Sequence, residues 1–183
     1  KAYKFITVAL EEVLRDMILL HYMKKSSTLF LQIVLVILGA AVLAALLIEP
    51  HFEGRNMHAT FFAVYFKDPF LAYVYLMSIP FFVGLYQACR VLGLVGKNQI
   101  FSLEAVKALR TIKYCAFITA TAILAADAFL MVVARTTGED AAGAVMMGIV
   151  ATFASVVVGT AAAVFEKVLQ NAVDIKSEND LTV

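Results

Sequence analysis

Apolar and polar positions along this chain fall into long blocks. Four apolar blocks, at about residues 29–48, 69–95, 114–134 and 141–165, are separated by polar stretches. Each holds roughly 20 or more residues, enough as a helix to cross a hydrocarbon core of about 30 Å. The last block runs from Ala141 to Phe165 without a charge. On it Ala144, Gly148, Thr152, Ser155, Gly159 and Ala163 recur at steps of three and four, so they share one helical face. Small residues there let another helix backbone come close, which is how helices associate where lipid removes the hydrophobic drive between them. The second block begins at Asp68-Pro69, a cap followed by a first-turn proline, and Pro80 inside it predicts a kink. Ser102 is placed to cap the helix that enters the third block.

Residues 1–22 carry too many charges to span. Ile6, Ala9, Leu10, Val13, Met17 and Leu20 nevertheless fall opposite Lys4, Thr7, Glu11 and Arg15. This reads either as an amphipathic helix on the membrane surface or as the remnant of a fusion ahead of Met23. Residues 23–170 form the membrane domain, and residues 171–183 a polar tail.

Composition agrees with the blocks. The chain of 183 residues is 62% hydrophobic and 16% charged, with a net charge of +1. If the first span starts inside, Arg55, Lys67 and Arg135 are the only cations outside, and the other twelve of the 15 Lys and Arg lie inside. That bias sets the orientation. The expected fold is all-α: a polytopic membrane protein, a four-transmembrane-helix bundle with both termini cytoplasmic, in the bacterial cytoplasmic membrane. Cys89 and Cys115 then face the reducing side and read as free thiols.

Candidate chemistry is sparse. Asp127 stands inside the third block, where insertion of a carboxylate costs about 2.5–3.5 kcal/mol. Tyr75 and Ser78 on the second helix and Thr152 on the fourth are the hydroxyls expected at its depth. Asp127 is either a proton or cation site or a neutral acid tying helices together. A second polar group, Gln32, Gln87, Arg90 and Glu166, gathers near the inner face, with Arg90 and Glu166 as a cross-helix pair. Glu49, His51, Glu53 and His58 match no established ligand spacing, so no metal site is expected. Lys97, Lys107, Arg110 and Lys113 suit anionic lipid heads, and direct nucleic-acid binding is not expected. No nucleophile–base pairing, phosphate loop or cofactor motif is present, which argues against an enzyme.

The connection that opens Asn98-Gln99-Ile100-Phe101-Ser102 and the ending Glu178-Asn179-Asp180-Leu181-Thr182-Val183 resemble a bacterial family of small four-span membrane proteins known only as a domain of unknown function. The resemblance covers residues 23–183. Its members are often encoded beside a small helix-turn-helix regulator, which implies a membrane partner for a DNA-binding protein. The leading expectation is a non-enzymatic membrane regulatory protein. Its tail (Glu178, Asp180, Leu181, Thr182, Val183) and basic connection would bind a cytoplasmic partner. The alternatives are a small homo-oligomeric proton-coupled exchanger using Asp127, with the small-residue face as its dimer contact, and an immunity or membrane-stress protein.

Overall fold

The computed structural model describes residues 27–47, 69–138 and 140–181, and these are helical apart from their turns. Among the described residues four helices are long and apolar enough to cross a membrane: α1 (Ser27–Leu47), α2 (Pro69–Gly96), α3 (Leu103–Thr137) and α4 (Ala142–Leu181). The protein is an all-α, multi-pass membrane bundle. Residues 1–22, the outer connection with Glu49, His51, Glu53 and His58, Asp68 as a cap, and Thr182 and Val183 lie outside the described residues.

Local chemistry fixes the turns. Asn98 takes a left-handed conformation (φ 57°) after α2, and the Gln99 N–H returns to the Leu94 carbonyl at 2.9 Å. Asn tolerates that region better than most residues, so it ends the helix as glycine otherwise would. Ser102 accepts from the Ala105 N–H at 3.3 Å and starts α3. Gly138 (φ 74°) ends it, with its N–H on the Ala134 carbonyl. Asp140 Oδ1 accepts from the Ala142 N–H at 2.9 Å, where a negative charge also suits the start of α4.

The helices pack in chain order. Against α1, α2 receives the Gln32 amide on the Cys89 carbonyl, and its Tyr75 hydroxyl donates to the Leu46 carbonyl at 2.6 Å. Tyr73, on a different face of α2, donates to the Ala122 carbonyl of α3 at 2.9 Å. Gly84 lets the Cys115 side chain of α3 approach, and Phe70 stacks on Phe129 at 5.5 Å. The α3–α4 pair is antiparallel and keeps its register: Asp127 meets Gly148, Phe117 meets Gly159, and Arg110 and Lys113 meet Glu166. Between α1 and α4 an apolar cleft opens over α2 and α3, with cavities of about 320 and 370 Å³ that share Phe81, Thr119, Ala154 and Ser155.

The cluster of large buried apolar side chains does not lie at mid-bundle, where Ala120, Ala122 and Asp127 are the buried residues of α3. It sits at the end that carries most of the cations, as Val106, Leu109, Ile112, Ala162 and Leu169, flanked by Ala88, Val91, Ile100 and Val173. Lipid solvates apolar side chains in the spans, so Phe153 and Val157 can point outward there without cost. Where the helices leave the spans, from about the level of Ala88 and Ala162 outward, water restores the hydrophobic drive and a conventional core forms. The lengths agree: α3 has 35 residues and α4 has 40, or about 50 and 60 Å, against roughly 30 Å of hydrocarbon.

Three expectations change. The stretch from Asn171 is not a separate tail, because α4 continues through it to Leu181 and Val173 packs on the core. Arg90 and Glu166 do not pair. Glu166 is taken by α3, whose register sets Arg110 and Lys113 beside it, while the exposed Arg90 reaches Gln87 at 3.5 Å. Tyr75 and Ser78 do not serve Asp127. The Tyr75 hydroxyl goes to α1 and Ser78 donates to the Tyr75 carbonyl; at about 100° per residue the two lie roughly 160° and 140° around the helix from Tyr73.

Candidate functional site

Two places gather polar groups. The first is the seam between α3 and α4. Asp127 is 6% exposed and its carboxylate rests directly on Gly148, so closely that a Cβ at Gly148 would overlap it. Glycine is what admits the acid here. One turn further along α4, Thr152 is 9% exposed. Oδ2 of Asp127 and Oγ1 of Thr152 both lack a hydrogen-bond partner, as does Oγ1 of Thr119 on the cleft wall. Of the small-residue face, Gly148 and Gly159 lie against α3, Thr152 is buried, Ser155 and Ala163 are half-buried, and Ala144 is exposed. The seam thus occupies the face that a second copy would need.

The second place is the end of the bundle beyond the apolar spans. Lys113 Nζ and Arg110 Nε each lie 2.6 Å from a Glu166 oxygen, and the Glu166 side chain is 12% exposed. Glu166 follows the last residue of the apolar stretch. The hydrogen bond from Lys113, then that from Arg110, holds its carboxyl below the ordinary carboxylate range. The same ion pair raises the Arg110 guanidinium, its hydrogen bond to Glu166 first. The three side chains clamp α3 to α4 where the helices leave the apolar spans.

Past the clamp lies a recess of about 790 Å³ between the α2–α3 turn and α4. Asn98, Gln99, Ser102, Glu104 and Lys176 give it polar walls, and Phe101 and Leu103 stand exposed at its rim. Sequence reasoning missed this recess. Its only signal was the pair of apolar residues flanking the cap, Phe101 and Leu103, in an otherwise polar connection. The four members of the predicted inner cluster are not brought together. Gln32 binds across α1 and α2, Gln87 and Arg90 stay on α2, and Glu166 belongs to the clamp. Among the described residues no group of three or more His, Cys, Asp or Glu is placed to hold a metal ion, and Cys89 and Cys115 are free.

Comparison with known proteins adds a family. The model described as "Protein of unknown function (DUF2975)" matches residues 56–183. The protein named "Uncharacterized membrane protein YoaS" of Bacillus subtilis (strain 168) is 40% identical over 164 residues, covering 88% of this chain and 100% of that protein. No solved structure matches.

Proposed function

This chain belongs to the DUF2975 family of proteins of unknown function, and on that premise we propose that it is a non-enzymatic membrane regulatory protein. Its α3–α4 end stands on the cytoplasmic face and docks a soluble partner. The observation that carries this reading is the extent of α3 and α4 past the apolar spans, around a buried core closed by the Glu166 clamp. A helix pair needed only to cross the bilayer would end near its surface. This one continues as a stiff platform with a polar recess, exposed Phe101 and Leu103, and an end carrying Glu178 and Asp180.

That the partner is a DNA-binding protein is what the family resemblance implies, and the acidic end of α4 suits one. A DNA-binding protein carries a basic face, and an acidic helix end can cover it and compete with phosphate. Exposed apolar residues at the recess rim supply the anchor that charge alone lacks. Sequestration of a small DNA-binding regulator at the membrane is the activity this supports.

The test uses the tagged full chain, solubilised gently from native membranes, with a second preparation lacking residues 178–183. A stoichiometric DNA-binding protein retained by the first and lost from the second is the expected result. A protein that purifies without any partner, or with the same one in both preparations, overturns the reading.

A further inference from the structure

The clamp between α3 and α4 has more donors than its one carboxylate uses. We propose that it is also a binding site for the phosphate of an anionic phospholipid, with Arg110 as the principal donor. The Arg110 Nε–H donates to Glu166 at 2.6 Å. That bond leaves the fork of the two Nη groups for another acceptor, and a guanidinium fork matches a phosphate bidentately. The Arg110 side chain is 53% exposed, so the fork is open to its surroundings. Lys113 Nζ, 2.6 Å from the other Glu166 oxygen, also lies 4.8 Å from the centroid of the exposed Tyr114 ring.

Depth and charge decide what this site takes. The uncharged stretch of α4 ends at Phe165, directly before Glu166, and that of α3 begins after Lys113. The clamp therefore stands where hydrocarbon gives way to water, the level of lipid phosphates and of interfacial tyrosines. At about 100° per residue Arg110 lies 180° from Thr119, and Lys167 lies 180° from Val158. Thr119 and Val158 line the cleft, so Arg110 and Lys167 stand on the opposite face of the α3–α4 pair. Lys107 precedes Arg110 by one turn. Lys107 and Lys167 are exposed, and neither has an ion pair among the described residues.

Four cations thus gather near one carboxylate. The next acids along the two helices, Glu104 and Asp174, stand about 9 Å or more further from the spans. A zwitterionic headgroup brings a cation of its own, which these side chains repel. An anionic headgroup such as that of phosphatidylglycerol does not. Its phosphate takes the Nη fork while Glu166 keeps Nε, so the bound lipid braces α3 and α4 where they leave the bilayer. The site uses neither Phe101, Leu103 nor residues 178–183, and so stands apart from whatever docks on the platform.

The experiment places the full chain in nanodiscs of phosphatidylcholine with a minority of phosphatidylglycerol and releases it for native mass spectrometry. One phosphatidylglycerol retained per chain, in preference to phosphatidylcholine, is the expected result. Arg110→Gln should lower that occupancy about fivefold or more, the factor one cation is worth at an anionic surface. Arg110→Lys keeps the charge without the fork and should recover only part of it. The control is Arg90→Gln. Arg90 is exposed, is the one charged residue of α2, and is level with Arg110 because Gly84 meets Cys115. Its loss should leave the occupancy unchanged. Equal losses in Arg90→Gln and Arg110→Gln would mean diffuse charge and overturn the site, as would a wild type that retains both lipids alike. Should Arg110→Gln not fold, Lys167→Glu decides, since Lys167 takes no part in the clamp. Loss of the lipid there supports the site, and its retention overturns it. Inorganic phosphate separates the two sources of this chemistry: it should not displace the lipid, and a phosphate adduct in the lipid's place overturns the lipid assignment.

Discussion

At the scale of single residues, α3 and α4 leave no room for a side chain where Asp127 rests on Gly148. Gly148→Ala adds a Cβ where the carboxylate lies, and overpacking of this kind costs about 1–3 kcal/mol. Reversible unfolding in mixed micelles should register that loss, and Gly143→Ala, where a Cβ meets open space, is the matched control. Glu166 makes a different prediction. Its carboxyl is held low by Lys113 and Arg110, so the clamp contributes fully above the ordinary carboxylate range. The contribution is lost as pH falls through the lowered value. The thermal midpoint of the wild type should therefore drop on acidification more than that of Glu166→Gln, which has no such carboxylate to lose. Parallel pH profiles for the two proteins would contradict the clamp.

At the scale of elements, α3 depends on its cap. Ser102→Ala removes the acceptor for the Ala105 N–H and should cost about 1 kcal/mol, with fraying confined to the recess side in hydrogen exchange. That cap was legible in the sequence, as were the four helices, because long apolar blocks and a serine before a helical run are local signals. The small-residue face of α4 was legible too, but not the helix it would meet. Which helix it faces depends on the antiparallel register with α3, a long-range property. The same ignorance produced the Arg90–Glu166 pair. Depth alone put them level, whereas the rotation of α2 about its axis turns Arg90 outward and α3 supplies two cations at i and i+3. The end of α4 was misjudged for a related reason. From Glu166 onward the composition turns polar and looks like a tail. Yet Leu169 and Val173 remain on the face toward α3, and that stripe carries the helix forward.

At the scale of the whole molecule, two unlike packing regimes meet in one bundle. Lipid surrounds the spans, where close approach comes through Gly84, Gly148 and Gly159. Water drives the core at the far end, where Val106 and Leu109 are sealed against Ala162 and Leu169. The positive-inside bias predicts that this far end is cytoplasmic. In a cysteine-free background, Thr137→Cys should react with an impermeant thiol reagent on intact cells, and Lys176→Cys only after the cells are opened. The reverse pattern would invert the topology and remove the platform from the cytoplasm. The central claim is that the platform binds a soluble DNA-binding partner through the end of α4. Its most direct measurement is the composition of the purified complex, with and without residues 178–183. One stoichiometric DNA-binding protein, present with the full chain and absent from the shortened one, is the predicted result. A full chain that elutes without such a protein, or a partner indifferent to the deletion, would contradict it.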